Sequence, residues 1–170
     1  MFSVIIDELV YYFEQHSVRG VHFSPDILEI FKLLFADDVA LISDTVVGLQ
    51  NQLNLLYEFC ECWKVSVKVE NTSIVVFKKG GRLSKHEHWK YNYRTIECVN
   101  SFTYVGIYLS STLSMYKTVD SMAIKCKKVL MSLLNSLYEY MPFSNECYFK
   151  IFDAKVTPIL LYGSELWGIQ

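Results

Sequence analysis

The sequence predicts an α+β fold, with short antiparallel strands and packed helices over residues 1–110 and an all-helical segment over 111–170. Three patterns carry this prediction: apolar residues at helical spacing near the start, short apolar runs broken by turn residues, and a long apolar helical stripe in the remainder. Hydrophobic residues make up 52% of the chain and aromatic residues 15%, which is typical of a packed globular protein.

The first third of the sequence indicates a helix, a pair of strands and a second helix, in that order. Apolar spacing predicts a helix over 2–16. The runs 30–35 and 39–42 have strand length and are separated by an acidic pair, which predicts a strand, an acidic turn and a second strand. Asp44 is a predicted N-cap. The apolar stripe of the helix that follows comprises Leu49, Leu53, Leu56, Cys60 and Trp63.

The middle of the chain predicts short strands separated by a basic loop. Valines alternate with polar residues over 65–69, and an apolar run follows at 74–77. The stretch 82–94 is basic and aromatic with little periodicity. The segment 102–109 predicts another strand, bent at Gly106.

The last third predicts helices separated by prolines. A long helix should end before Pro142, another should begin at Ser144, and Pro158 should break or restart it. The apolar stripe of the long helix comprises Val119, Met122, Cys126, Val129, Leu133 and Leu137.

Composition argues against membrane and secreted proteins. No apolar run approaches the roughly 18 residues that cross a bilayer, and Asp7 and Glu8 stand where a signal peptide is apolar. The five cysteines are scattered, so we expect a reduced, intracellular protein without a disulfide framework. Cys60 and Cys62 are too close for the usual zinc pairing and are interpreted as buried helix thiols.

Acidic and basic residues are segregated along the chain. Residues 1–62 contain ten Asp and Glu against two Lys and Arg, whereas residues 64–94 contain eight Lys and Arg against two Glu. A protein that holds cations in one place and phosphates in another would show this pattern. Two solvated faces of opposite sign would show it too.

Asp37 and Asp38 stand between two apolar runs, where unpaired charge is costly. A bound divalent cation compensates such a pair, and two-metal phosphoryl transfer uses carboxylates at a tight turn. The alternative is a solvated hairpin turn without chemistry.

The sequence Phe35-Ala36-Asp37-Asp38, with its apolar flanks, resembles the active-site hairpin of reverse transcriptases. Four further segments are similar to parts of non-LTR (LINE-type) retrotransposon reverse transcriptases, in the family's order. They are the end of a palm helix (1–9), the next palm element (63–77), the primer-grip strand (102–107) and a stretch after the thumb (158–167). The resemblance implies a partial palm followed by a partial helical thumb.

The family resemblance also implies roles for individual residues. Asp37 would be a Mg²⁺ ligand of the polymerase site, and Asp38 would support it. The partners implied are an RNA template, a DNA primer and dNTPs. The residues implied to lie near the primer or nucleotide are Phe35, Ala36, Tyr104 and Gly106. Ordinary core packing is the alternative for the two aromatic side chains.

Two departures from the family pattern predict that this chain is inactive alone. Asn71 stands where the family carries a lysine proposed as a general acid, and an amide cannot act as one at neutral pH. The third catalytic aspartate and the fingers are not recognised in the sequence. Asp7, Asp26 and Asp44 are better explained as helix surface, loop and N-cap.

The basic stretch offers a second, non-catalytic interpretation. Its aromatics, Trp89, Tyr91 and Tyr93, would provide stacking surfaces beside phosphate-binding cations. These cations are Lys78, Lys79, Arg82, Lys85, Lys90 and Arg94. The alternatives are a solvated loop anchored by its aromatics and a decayed mobile-element product without a selected function. Lysines of the thumb-like helix would add to a duplex-binding face: Lys117, Lys125, Lys127 and Lys128.

Overall fold

The chain forms two compact units, Met1–Asn100 and Ser101–Gln170. The division precedes the predicted limit at residue 110, so Tyr104 and Gly106 belong to the second unit. The computed structural model describes residues 2–16, 20–21, 32–35, 38–78, 87–138 and 144–167.

Within its described residues the first unit consists of two long helices and short strands. The helices confirm two predictions: they are α1 (Phe2–Gln15) and α2 (Val46–Trp63). The strands are β1 (Lys32–Phe35), β2 (Asp38–Leu41), β3 (Ser73–Ile74), β4 (Lys90–Tyr91), β5 (Arg94–Thr95) and β6 (Glu97–Cys98).

The strands of the first unit form three separate pairs. Strands β1 and β2 are antiparallel, as are β4 and β5, and both pairs join strands close in sequence. The pair β3–β6 is parallel and is extended by a hydrogen bond from the Val99 N–H to the Ile74 carbonyl oxygen at 2.8 Å. This pair therefore joins a segment that precedes the basic stretch, at residues 73–74, to one that follows it, at residues 97–99.

The core of the first unit forms around one face of α2. Because Leu53, Leu56 and Cys60 recur every three or four residues, they lie on that face and are buried. Helix α1 adds Leu9 and Phe13, which has no exposed surface. Later segments complete the cluster with Ile74, Trp89, Tyr91 and Ile96.

Three details differ from the sequence predictions. The N-cap of α2 is Thr45, whose hydroxyl accepts a hydrogen bond from the Gly48 N–H at 3.0 Å, and not Asp44. The alternating valines of 65–69 form no strand, because they pack against the core without a ladder partner and lead into a 3₁₀ turn, Val69–Asn71. The predicted strand at 74–77 is reduced to β3.

The second unit consists of one hairpin and a succession of helices. The hairpin joins β7 (Ser101–Tyr104) to β8 (Ile107–Ser110). The helices are α3 (Tyr116–Tyr138), α4 (Asn145–Lys155), α5 (Thr157–Leu160) and α6 (Ser164–Trp167).

Local signals set the helix starts of this unit. Ser144 caps α4 by accepting a hydrogen bond from the Cys147 N–H at 3.2 Å, as predicted. Pro158 lies in the first turn of α5, where its missing N–H is not needed, so the predicted restart is confirmed. Pro142 lies outside the described residues.

Two predictions about single segments need correction or limitation. Segment 102–109 is a two-stranded hairpin and not one bent strand, because its turn falls at Val105–Gly106. Of the two neighbouring thiols on α2, Cys60 is buried and Cys62 is exposed. None of the helices in the described part of the chain is long and apolar enough to cross a membrane.

Candidate functional site

Asp38, the second residue of the acidic pair, lies at the end of an antiparallel pair of strands. Four residue pairs join β1 to β2, and the last of them pairs Phe35 with Asp38. That register leaves only positions 36 and 37 between the strands. Ala36 and Asp37 lie outside the described residues, whereas Asp38 is described and its side chain is exposed.

Strand β2 anchors this acidic hairpin on the core of the first unit. Val39 and Leu41 pack against the buried cluster. Since side chains alternate along a strand, Asp38 and Ala40 project from the other face. The Asp38 carboxylate is therefore held at the end of a supported hairpin and remains accessible to a cation.

Other carboxylates do not join Asp38 in a ligand set among the described residues. Asp7 is exposed on the surface of α1, as expected, and Asp44 is exposed just before α2. Asp26 lies outside the described residues. In the described part of the chain, no group of three or more His, Cys, Asp or Glu residues could hold a metal ion.

Asn71 lies at the end of the 3₁₀ turn and is exposed. Lys68 precedes the same turn and is also exposed, and its carbonyl oxygen accepts hydrogen bonds from the Asn71 N–H and the Thr72 hydroxyl, both at 3.0 Å. Both residues therefore belong to one turn. No strand forms there.

The hairpin β7–β8 turns sharply at Val105 and Gly106. Both residues have positive φ, 48° and 78°. A two-residue turn with positive φ at both positions is the type I′ geometry that matches strand twist. It suits glycine, but a β-branched residue such as Val105 is strained there, by about 1 to 2 kcal/mol.

Contacts from two helical segments hold this strained turn in place. The Tyr162 hydroxyl donates a hydrogen bond to the Val105 carbonyl oxygen at 2.5 Å. On α3, the buried Thr118 hydroxyl accepts from the Tyr108 N–H at 3.0 Å and donates to the Tyr108 carbonyl oxygen at 2.9 Å. The Thr118 hydroxyl thus bonds the two backbone groups of Tyr108 that a neighbouring strand would otherwise pair with.

A second contact ties the same strand to α3. The Lys117 ammonium donates a hydrogen bond to the Tyr108 hydroxyl at 2.9 Å, and that hydroxyl lies 2.6 Å from the Ser101 hydroxyl. The bond from Lys117 lowers the pKa of Tyr108 below its usual value. Lys117 is therefore engaged with the hairpin.

An open groove of about 590 Å³ runs beside the turn. Its wall includes Gly106 and Tyr162 together with two exposed lysines of α3, Lys125 and Lys128. Tyr104 is half-buried at the end of β7. The structure thus brings the segments compared with the primer grip and the post-thumb stretch into direct contact within one unit.

The basic stretch is only partly available to a ligand. The Lys78 ammonium lies 3.8 Å from the Glu87 carboxylate, and the Arg94 guanidinium lies 3.3 Å from the Glu70 carboxylate. Lys90 is exposed on β4. Lys79, Arg82 and Lys85 lie outside the described residues.

The aromatics of the basic stretch separate into two classes. Trp89 and Tyr91 are 3% and 7% exposed and belong to the core, so the prediction that they offer stacking surfaces is wrong. Burial, with a contribution from the Cys60 thiol, raises the pKa of Tyr91 above the usual range. Tyr93 is 94% exposed. The alternative of a loop anchored by aromatics is correct for the first two.

Sequence reasoning missed Thr118 and Tyr162 as supports of the hairpin. A signal for Thr118 exists, because it stands four residues before Met122 and eight before Cys126, in line with the buried stripe of α3. A hydroxyl in an apolar stripe needs a partner. The sequence contains no comparable signal for Tyr162, whose partner is 57 residues away.

Comparison with known proteins finds a distant relative. The chain is 26% identical over 143 residues to the RNA-directed DNA polymerase from mobile element jockey of Drosophila melanogaster. The match covers 79% of this chain but 15% of that polymerase. No protein-family model and no solved structure matches. The similarity supports a distant relationship to reverse transcriptases, in agreement with the five sequence segments.

The two hydrogen bonds of the Thr118 hydroxyl should contribute most of the polar stabilisation between β8 and α3. Thr118→Val keeps the shape of the side chain but leaves two buried backbone groups of Tyr108 unpaired, so the free energy of unfolding should fall by about 1 to 3 kcal/mol. Denaturant unfolding measures the loss, and amide hydrogen exchange at Tyr108 locates it. Thr118→Ser is the matched control and should keep Tyr108 protected. Equal exchange in both variants would refute the role of the hydroxyl.

Proposed function

We propose that the chain is the C-terminal palm and part of the thumb of an RNA-directed DNA polymerase from a non-LTR (LINE-type) retrotransposon. The acidic hairpin carries the proposal, because β1 and β2 end in a pair between Phe35 and Asp38, the first and last residues of the Phe35-Ala36-Asp37-Asp38 sequence. The distant similarity to a mobile-element polymerase supports the same assignment. The complete parent extends a DNA primer on an RNA template with dNTPs.

In the proposed enzyme Asp37 binds Mg²⁺ and Asp38 supports it. Mg²⁺ prefers carboxylate oxygens in polymerase sites, and the exposed Asp38 on an anchored strand suits that use. Bound Mg²⁺ would activate the attacking oxygen and neutralise charge on the leaving group. Since the described residues offer no group of three ligands, we infer that other parts of the parent complete the site.

The hairpin β7–β8 is the proposed primer-holding element. Gly106 lets a primer backbone approach closely, since a glycine there has no Cβ. Tyr104, Lys125 and Lys128 lie on the same hairpin or beside the same groove, where lysines suit phosphates. The contact of Tyr162 with Val105 fixes the turn that presents these groups. Phe35 and Ala36 are proposed to lie near the primer end.

The 170-residue chain should not polymerise DNA by itself. Primer extension with Mg²⁺, dNTPs and an RNA template should give no product, because two carboxylates do not complete a two-metal site. A complete reverse transcriptase in the same mixture is the positive control. Template-dependent synthesis that disappears in Asp37→Ala would show that the site is complete within this chain.

The acidic hairpin should nevertheless bind a divalent cation weakly. Mn²⁺, a paramagnetic substitute for Mg²⁺, should broaden the backbone amide signals of Asp38–Leu41 in NMR spectra before others. The double variant Asp37→Asn and Asp38→Asn should abolish this local broadening. Asp44→Asn, which removes a nearby exposed carboxylate outside the hairpin, is the control and should leave it. Broadening that is uniform, or centred elsewhere, would contradict a metal site at the hairpin.

A second candidate function is nucleic-acid binding without catalysis through the basic stretch. The observation that favours it is the exposure of Lys90 and Arg94 on the two strands of one hairpin, β4–β5. The Arg94 pair with Glu70 is exposed on both sides, and such pairs are weak, so a phosphate can displace the carboxylate. Lys79, Arg82 and Lys85 would extend the same basic surface.

Salt dependence distinguishes this binding from other association. Affinity for a primer-template should fall as salt rises, and Lys90→Glu or Arg94→Gln should weaken binding and reduce the slope of log K against log salt by about 0.7 to 0.9 per lost contact. Fluorescence anisotropy measures both. Lys155→Glu, an exposed charge reversal on α4, is the control and should have little effect. Absence of binding at low salt would end this candidate.

Lys78 is a poorer choice for charge reversal. Because its ammonium lies near the Glu87 carboxylate, Lys78→Glu would add a repulsion between two acids as well as removing a cation. A loss of binding in that variant would not separate a phosphate contact from local misfolding.

A further inference from the structure

The hairpin β4–β5 presents a tyrosine where the backbone favours glycine. The pairs Lys90 with Thr95 and Tyr91 with Arg94 leave Asn92 and Tyr93 as a two-residue turn. Both have positive φ, 45° and 65°. Asn-Gly is the favoured sequence for this turn, and a bulky residue in the second position is uncommon.

Packing gives no reason for the aromatic ring at this position. The side chain of Tyr93 is 94% exposed, the largest exposure of any large hydrophobic residue in the described part of the chain. In the second strained hairpin, by contrast, the Val105 carbonyl oxygen is held by the Tyr162 hydroxyl. Strained residues that the fold does not use are found at functional sites.

The base of the β4–β5 hairpin is fixed to the core, so the exposed ring is presented from a rigid support. Trp89 is buried, and its indole N–H donates to the Val46 carbonyl oxygen at 2.9 Å. The Gln50 amide accepts from the Lys90 N–H at 2.9 Å and donates to the Lys90 carbonyl oxygen at 2.8 Å. Tyr91 packs edge-on against a neighbouring ring. A ligand at the tip therefore meets a preorganised aromatic.

Cations flank the exposed ring on both strands. Lys90 is exposed, and the side chain of Arg94 keeps 71% of its surface while it contacts Glu70. An exposed ring at the tip of a hairpin whose two strands each carry an accessible cation suits a single nucleic-acid strand, in which flat bases alternate with phosphates. A duplex hides its base faces, and so offers this tip only phosphates.

We propose that Tyr93 is a base-stacking residue of a single-stranded nucleic-acid site whose phosphates are bound by Lys90 and Arg94. The inference deepens the second candidate function, because it names the strand state of the ligand and the residue that recognises it. It does not depend on the polymerase proposal, since neither Asp37 nor Asp38 takes part.

The test compares single-stranded and duplex binding in variants of the full chain. Wild-type protein should bind a fluorescein-labelled oligothymidylate of about 15 nucleotides more tightly than a duplex of the same length at low salt. Tyr93→Gly should weaken binding of the single strand by about 5- to 100-fold and leave duplex binding unchanged. Tyr93→Trp should retain single-strand binding, because the larger ring still stacks.

The same substitution separates function from stability. Tyr93→Gly creates the favoured Asn-Gly turn, so its thermal midpoint should equal or exceed that of the wild type. Tyr116→Ala removes another ring that is 77% exposed, on α3, and should leave binding unchanged. Loss of binding without loss of stability is the expected result.

Three outcomes in the variants would each overturn the inference. Tyr93→Gly could bind the single strand as tightly as the wild type, duplex binding could fall equally, or Tyr116→Ala could weaken binding as much. If Lys90→Glu weakens binding while Tyr93→Gly does not, this inference fails and the second candidate function stands. If the wild type binds the duplex but no oligothymidylate at low salt, this inference fails, and if it binds neither, both fail.

Discussion

Helix α2 is the constraint on which the first unit depends. Its buried face forms the core, and polar side chains on the same helix hold backbone groups that would otherwise lack partners. The Gln52 amide donates to the Ile42 carbonyl oxygen at 2.9 Å, just after β2, and Gln50 holds both backbone groups of Lys90. Helix α2 is therefore hydrogen-bonded both to the segment after the acidic hairpin and to the hairpin β4–β5. Gln52 is buried, and a buried polar group is costly unless paired, so its bond to Ile42 favours one position of the acidic hairpin.

The hairpins β4–β5 and β7–β8 share an unusual turn geometry, but their turn residues have different surroundings. Each has a two-residue turn with positive φ, and each has a residue other than glycine at a position that favours glycine. In the hairpin of the second unit, the Val105 carbonyl oxygen accepts a hydrogen bond from the Tyr162 hydroxyl, and Thr118 is hydrogen-bonded to the adjoining strand. In the hairpin β4–β5, the side chain of Tyr93 is almost fully exposed to solvent. The first turn is held by contacts within its own unit, and the second exposes the ring that we propose stacks on a base.

At the acidic hairpin, the support of the backbone and the ligands of the proposed metal site have different origins. Val39 and Leu41 bind the strand to the core through apolar burial, which needs no metal. The ligand set, by contrast, needs several carboxylates from separate elements, and the described residues add none to Asp38. The position of the hairpin thus depends on apolar packing, whereas metal binding depends on carboxylates. The chain matches 15% of the length of the mobile-element polymerase to which it is similar.

The sequence was sufficient for features that depend on neighbours along the chain. Helical spacing predicted α1, α2 and α3, Ser144 predicted the start of α4, and the acidic pair predicted a hairpin turn, because caps, periodicity and turns are local. The tertiary structure alone decided which aromatics are covered, since Trp89, Tyr91 and Tyr93 alternate in one short stretch and only the position of α2 separates the first two from the third. It also decided the contacts of Thr118 and Tyr162. These depend on residues far apart in sequence, whose meeting no local pattern encodes.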